Sequence, residues 1–250
     1  MADQRNTIPN ADHGPRVVGQ SIMEESATQI HRLSDRLVIG DRVFHYGKAG
    51  ATLSAGKVAQ SAQALVTEDT VTVAHGIGTT EVTVTAASVA VNDYESGYLT
   101  VDEGTGAGET YKIKSNTATA DGVIVCTLYD GLVTAWSISD TDVTITTSPY
   151  FESIVLATDG IGLPVGVPLV GVTDTYFAWF QTWGPCGVYI DGTGSALGNA
   201  IDERLMVVGA TAGSLGVGYA AGYAIAAQVI LDSADYADVK YQPVYLTMCP

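Results

Sequence analysis

The sequence predicts an all-β protein. Short stretches of alternating apolar and polar residues, rich in threonine and valine, recur along most of the chain. Glycine, asparagine and aspartate separate them at a spacing of roughly 8–14 residues. No segment sustains a helical period over several turns. The prediction is an N-terminal extended arm followed by a β-barrel or sandwich body, with a small β-domain inserted in the body.

Composition narrows the class. The chain has 250 residues, 46% of them hydrophobic and only 15% charged, where soluble proteins average about 25% charged. That balance excludes a disordered chain, which combines low hydrophobicity with dense charge. No apolar run approaches the roughly 20 residues of a membrane-spanning helix, so no membrane partner is expected. The polar stretch Met1–Pro15 has no apolar core, and no secretory signal peptide is expected there.

Residues 1 to 35 lack a strand pattern and form the expected arm. Within it, Ser21 to Leu33 permits a short helix with Ile22, Ile30 and Leu33 loosely on one side. Such a face is too weak to fold alone, and an arm that orders against something else fits better. From Arg36 the segment RLVIGDRVFHYG alternates and ends in a Lys48-Ala49-Gly50 turn.

Between Thr67 and Pro149 six segments read as strands: TVTVAH, TEVTVTAA, SGYLTVDE, ETYKIKSN, GVIVCTLYD and DVTITTS. Thr70, Thr72, Thr83 and Thr85 suit half-exposed strands, being β-branched yet polar on the wet face. Asp102 to Glu109 (DEGTGAGE) falls between two of them as a hairpin tip. A second β-region runs through Phe151–Leu156, Gly166–Val172, Tyr176–Ile190, Arg204–Val208, Ala226–Leu231 and Pro243–Met248. Gly209 to Gly222, rich in Gly and Ala, suits a loop or a close backbone approach. The expected domains are therefore residues 1–35, a main β-domain from 36–66 and 150–250, and an inserted β-domain from 67–149.

Charge is uneven. The 27 acidic and 11 basic residues give a net charge of −16. Seven of the basic residues, including Arg5, Arg16, Arg32 and Arg36, lie in the first 57 positions beside six acids. The remainder is strongly acidic, which argues against nucleic-acid binding, since phosphate neutralisation needs clustered Lys and Arg. A mixed-charge arm is suited to docking on an acidic neighbour, and these four arginines are its candidate contacts.

Motifs that would carry chemistry are weak. Gly104-Thr105-Gly106-Ala107-Gly108 lacks the Lys-Ser/Thr of a phosphate loop. Gly216-Val217-Gly218 opens a dinucleotide fingerprint, but Gly222 arrives one position late and no βαβ unit surrounds it. Asp102/Glu103, Asp140/Asp142 and Asp202/Glu203 read as solvated turn residues, with Ca²⁺ ligation or glycosidase chemistry as the sharper alternatives. No G-x-S-x-G elbow occurs and no histidine lies beyond His75. Cys126, Cys186 and Cys249 are far apart, without C-x-x-C, and read as buried free thiols of a reducing compartment. No catalytic residue, cofactor or metal site is therefore expected, and the chain reads as non-enzymatic.

The aromatic run suggests packing. Tyr176, Phe177, Trp179, Phe180 and Trp183 serve a core or interface, or else a sugar-binding platform. Consecutive apolar residues need cover on both sides, so Tyr176, Phe177, Trp179 and Trp183 are the candidate subunit-interface residues.

Residues 37–61, LVIGDRVFHYGKAGATLSAGKVAQS, together with GYLTVDEGTGAGETYKIKSN (97–116), LPVGVPLVGVTDTYFAWFQTWGPCGV (163–188) and YQPVYLTM (241–248), carry a resemblance. They look like a virion structural protein family of tailed bacteriophages, especially those of marine bacteria. The resemblance implies an abundant particle protein without catalysis, a capsid decoration or cement protein. Its implied partners are the major capsid protein and further copies of itself, as a homotrimer, on the capsid exterior after assembly in the host cytoplasm. The alternatives are a tail or fibre component with a receptor- or glycan-binding β-domain, and a virion-borne glycan hydrolase. Fibres favour internal repeats or heptads, and neither is found.

Overall fold

The computed structural model describes residues 19–62, 67–158, 162–191, 205–217, 225–230 and 239–250. All regular structure in them is β. The strands are β1 (Arg36–Ile39), β2 (Arg42–Lys48), β3 (Ala59–Gln60), β4 (Thr67–Thr70), β5 (Glu81–Thr85), β6 (Tyr98–Glu103), β7 (Thr110–Asn116) and β8 (Val123–Leu128). They continue with β9 (Asp142–Thr146), β10 (Ile154–Val155), β11 (Pro164–Pro168), β12 (Phe177–Ile190), β13 (Leu205–Val208), β14 (Leu215–Val217), β15 (Ala227–Val229) and β16 (Lys240–Thr247). The chain divides into two compact units, one from Met1–Ala62 with Pro149–Pro250, the other Gln63–Ser148.

The first unit is organised by β12, a strand of 14 residues. Its N-terminal half pairs antiparallel with β2, Phe177 opposite Lys48 and Phe180 opposite His45. On the other side it meets β11, which carries β3 and β10. Its C-terminal half pairs with β16 from Trp183–Thr247 to Ile190–Lys240. The order β12–β14–β13–β15–β16 returns to β12 and closes a five-stranded barrel. Closure leaves no free edge in that barrel. Val188, Ile190, Met206, Leu215, Ala227, Val244 and Leu246 fill it. Cys186 lies in the same core, where burial pushes its thiol up to about 12, so it packs as an inert apolar group. Cys126 is also buried, while Cys249 is half-buried, less enclosed than expected of it.

Ser21–Leu33 does not form the short helix its pattern permits. Ser21 Oγ accepts the Met23 N–H and Ser26 Oγ the Thr28 N–H, local bonds that compete with helical ones. The segment instead crosses β12 as a strap. Ser26 bridges Phe177, and the Gln20 amide donates to the carbonyls of Glu24 and Phe177. Tyr46 Oη donates to Gln20 Oε1 at 2.6 Å. Residues 19–35 of the expected arm thus order against the chain's own sheet.

The second unit is a six-stranded antiparallel sheet in the order β4–β9–β6–β7–β8–β5. Its alternation is regular: in β5, β8 and β9 every second side chain is buried. Val82, Val84, Leu99, Val101, Ile113, Ile124, Val143 and Ile145 point inward, while Thr83 and Thr85 lie half-exposed. A bridge between Val71 and Val84 brings the two ends of the order together. TVTVAH departs from the expected strand: β4 ends at Thr70, and beyond it only Val71 and His75 bridge other strands or loops. His75 is held by Trp136, and its Nε2 accepts the Thr83 N–H at 3.0 Å. The tip between β6 and β7 turns on Gly104, Gly106 and Gly108, with φ of +78°, +93° and +91°, values that favour glycine.

Candidate interaction surface

The arm residues fall on both sides of the described structure. Arg5 and Arg16 lie outside the described residues. Arg32 and Arg36 are exposed. The Arg32 N–H donates to Asp35 Oδ2 at 3.1 Å, and Arg36 Nε donates to the Pro250 carbonyl at 3.2 Å. Arg36 therefore links the entry to β1 with the chain's last residues.

The aromatic run separates into two roles. Trp179 is 2% exposed, enclosed by His31 at 5.0 Å and Tyr46 at 5.0 Å between ring centroids. Phe177 is half-buried and stacks on Tyr46 at 6.1 Å, and Tyr176 is half-buried beside the Ala178–Phe180 cluster. Both sides of this half of β12 are covered within the chain. The strap lies on one face, and Ala49, Leu53, Val165 and Val172 pack against Ala178 and Phe180 on the other. The cover that the apolar run requires comes at Trp179 from local chain, without a second subunit. Burial lowers the pKa of His31 within this cluster.

Trp183 is placed differently. A bulge between Gln181 and Trp183 adds one residue to β12 against β2 and reverses the alternation of faces. Beyond it Gly184, Cys186, Val188 and Ile190 point into the barrel. Trp183, Pro185, Gly187 and Tyr189 point outward. On β16 the outward set is Tyr241, Pro243, Tyr245 and Thr247, in register as Trp183–Thr247, Pro185–Tyr245, Gly187–Pro243 and Tyr189–Tyr241.

This outer ribbon is built from rings. Trp183 meets Tyr245 edge-on at 5.7 Å, and Tyr189 meets Tyr241 at 5.3 Å with a tilt of 57°. Lys57 Nζ stands 5.2 Å from the Tyr189 ring centroid. Between the two aromatic pairs a Cβ built on Gly187 would meet nothing within 4 Å. Gly187 leaves open space on this face, with Pro185 and Tyr189 beside it on β12 and Pro243 opposite it on β16. None of the eight outward positions carries a charge. Such a surface suits flat apolar or ring-shaped groups. Tyr189, Tyr241 and Tyr245 were missed by reading the aromatic run alone. The signal for them was the period-two pattern W-x-P-x-G-x-Y and Y-x-P-x-Y.

The polar clusters brace turns. Asp140 Oδ2 accepts both the backbone N–H, at 2.8 Å, and the hydroxyl of Thr105. Asp102 Oδ2 accepts from Thr144 at 2.6 Å. Glu109 accepts from the Thr134 hydroxyl and, at 2.6 Å, from Tyr111, and these bonds lower its pKa. Asp202 and Glu203 lie outside the described residues, as do Gly218 and Gly222. Among the described residues no group of three or more His, Cys, Asp or Glu side chains is placed to hold a metal ion. No protein-family model, curated protein or solved structure matches the chain.

Proposed function

We propose that the chain is a non-enzymatic structural protein of a tailed-bacteriophage virion, a capsid decoration protein that self-associates as a homotrimer and stabilises the head shell. The observation that carries the reading is the uncharged ribbon of rings on β12–β16 in a chain of net charge −16. A strongly acidic protein repels its neighbours, and this ribbon is a surface on which another polypeptide can seat without that repulsion. Burial of Trp and Tyr with few charges is the usual make-up of an interface core. The resemblance of residues 37–61, 97–116, 163–188 and 241–248 to a phage virion family supplies the setting, with the major capsid protein as partner on the particle's exterior. The carboxylates described above, held by threonine and tyrosine hydroxyls, are consistent with a bracing role.

The test is reconstitution. Purified chain mixed with shells of the virus that encodes it, stripped of minor proteins, should co-sediment at a fixed ratio to the capsid protein. It should also raise the temperature at which the shells rupture. Sedimentation with isolated tails, or with host envelope glycans and not with shells, would replace this reading by the tail or fibre alternative.

A further inference from the structure

In the second unit, the seam between the end strands β4 and β5 is closed in part by a side chain that titrates. Along this seam Val71 bridges Val84, and the Thr70 N–H donates to Thr85 Oγ1 at 2.9 Å. That bridge sets Thr72 opposite Thr83, and the Thr72 N–H donates to the Thr83 carbonyl at 3.3 Å. In an antiparallel ladder such a pair exchanges both bonds, and the Thr72 carbonyl takes the Thr83 N–H in return. Here the acceptor of that N–H is His75 Nε2 instead, at 3.0 Å.

The substitution follows from where the strand stops. β4 ends at Thr70, and by His75 the backbone is paired with Trp136, through bonds of 3.2 and 2.8 Å in the two directions. The imidazole reaches β5 from that position. It stands edge-on to the Trp136 ring at 6.3 Å and is 8% exposed. A backbone N–H can only donate, so the ring atom that receives it is unprotonated and the proton of the neutral imidazole lies on Nδ1. A further proton would land on Nε2, set a donor against a donor and leave a charge in a buried site. His45 and His31 are placed differently. His45 Nδ1 stands 3.2 Å from the Thr182 hydroxyl, which can donate or accept, and His31 packs on the rings of Tyr46 and Trp179. Of the three, His75 is the one set against a group that cannot reverse its role.

The charged or titratable side chains on the elements around His75 are Glu81 on β5, Cys126 on β8, Tyr111 on β7 with Glu109 just before it, and Asp130 and Asp140 on the Trp136 segment. Glu68 and Asp69 precede the seam on β4. Glu81, Asp130 and Asp140 are exposed, Cys126 is buried opposite Val82, and the Glu109 carboxylate is taken by the Thr134 and Tyr111 hydroxyls. Burial sets the pKa of His75 below the ordinary histidine value. We infer that His75 is an acid-sensitive latch: proton uptake at Nε2 releases the Thr83 N–H and opens the seam between β4 and β5 while the rest of the sheet stays paired. Opening frees the β5 edge, whose backbone groups then bond to water or to a strand of another chain. The latch needs no partner, so it stands apart from the virion reading.

Amide hydrogen exchange of the full chain at pH 7.5 and pH 5.5, corrected for the intrinsic rate at each pH, tests it. The closed seam takes no proton and the open one titrates near the ordinary histidine value, so the opening constant should rise about tenfold between the two. Protection at Thr83 should fall by that factor, while Leu99 on β6 and Ile113 on β7 should change by less than about twofold. His75→Gln, whose side-chain oxygen reaches as far as Nε2 without titrating, should keep the protection at both pH values. His75→Phe has no acceptor and should lack it at both. Unchanged protection in the unmutated chain overturns the inference, as does a fall that persists in His75→Gln or that Leu99 and Ile113 share. The ring itself gives a check that needs no variant. Nitrogen spectra of the His75 imidazole at pH 7.5 should show the proton on Nδ1, and a proton on Nε2 would overturn the latch as well.

Discussion

His45 is 7% exposed, its ring stacked on Tyr150 at 5.0 Å and its Nδ1 3.2 Å from Thr182 Oγ1. Burial, with a smaller contribution from the Arg36 charge, lowers its pKa from 6.5 to about 4. The unfolded chain takes up this proton near pH 6.5, and the folded chain takes it up only near pH 4. Between those values the unfolded state binds more protons, so stability falls as pH drops. Above pH 6.5 the histidine has no effect, and below about pH 4 the loss is complete. The upper limit of that loss is roughly 3 kcal/mol. Burial lowers His31 and His75 in the same direction, so part of the slope is theirs. Urea midpoints of the wild-type chain should fall between pH 7 and pH 4.5, and His45→Phe should flatten that slope. An unchanged slope in the variant would remove His45 from the account.

At the scale of the element, β12 depends on two glycines with opposite requirements. Gly184 follows the bulge with φ of +90°, and a Cβ there would meet the Asp41 carbonyl oxygen at 2.4 Å. Gly187, three residues on, opens to empty space. Gly184→Ala should therefore cost about 2–3 kcal/mol through backbone strain and displacement of the β1–β2 turn. Gly187→Ala should stay within about 0.5 kcal/mol. Chemical denaturation of both variants checks the pair, and equal losses would mean that the bulge does not constrain the strand. The contrast also shows where sequence reasoning reached its limit. Alternation in EVTVT, VIVCTL and DVTIT reports burial residue by residue, because each side chain answers to one face of its own sheet. Tyr176–Ile190 is readable as a strand for a different reason, its run of consecutive apolar and aromatic residues, which marks a strand covered on both sides. The reversal of faces at Gln181/Trp183 was not, because it depends on how β2 registers against β12, a pairing distant in sequence. That reversal decides that Trp179 is enclosed and Trp183 turned outward, which splits the aromatic run. The Gly/Ala-rich stretch from Gly209 hid β14 likewise, since Leu215-Gly216-Val217 becomes a strand only beside β13. Ser21–Leu33 looked weakly helical because its serines' local bonds leave no trace in the apolar pattern.

At the scale of the whole molecule, the two units differ in how far each can stand alone. Every buried apolar residue of the second unit's core, from Val71 to Ile145, belongs to Gln63–Ser148. Its first and last strands are partners, Thr67 opposite Ile145 and Thr70 opposite Asp142, so the chain enters and leaves at one edge. A unit with that geometry can interrupt another fold without disturbing its pairing. The first unit is different, since β2, β3 and the strap precede the interruption while β11, β12 and β16 follow it. Its sheet forms only when segments separated by the whole second unit meet, and contacts of such long sequence separation form slowly. Expressed alone, residues 63–148 should give a β-type circular dichroism spectrum and a single cooperative thermal transition, coincident by fluorescence of Trp136 and by far-UV signal. In the full chain the first unit should refold more slowly than this fragment, followed through Trp179 and Trp183. A fragment without a cooperative transition would mean that the second unit draws stability from residues outside 63–148, and that the division into units is not one of folding.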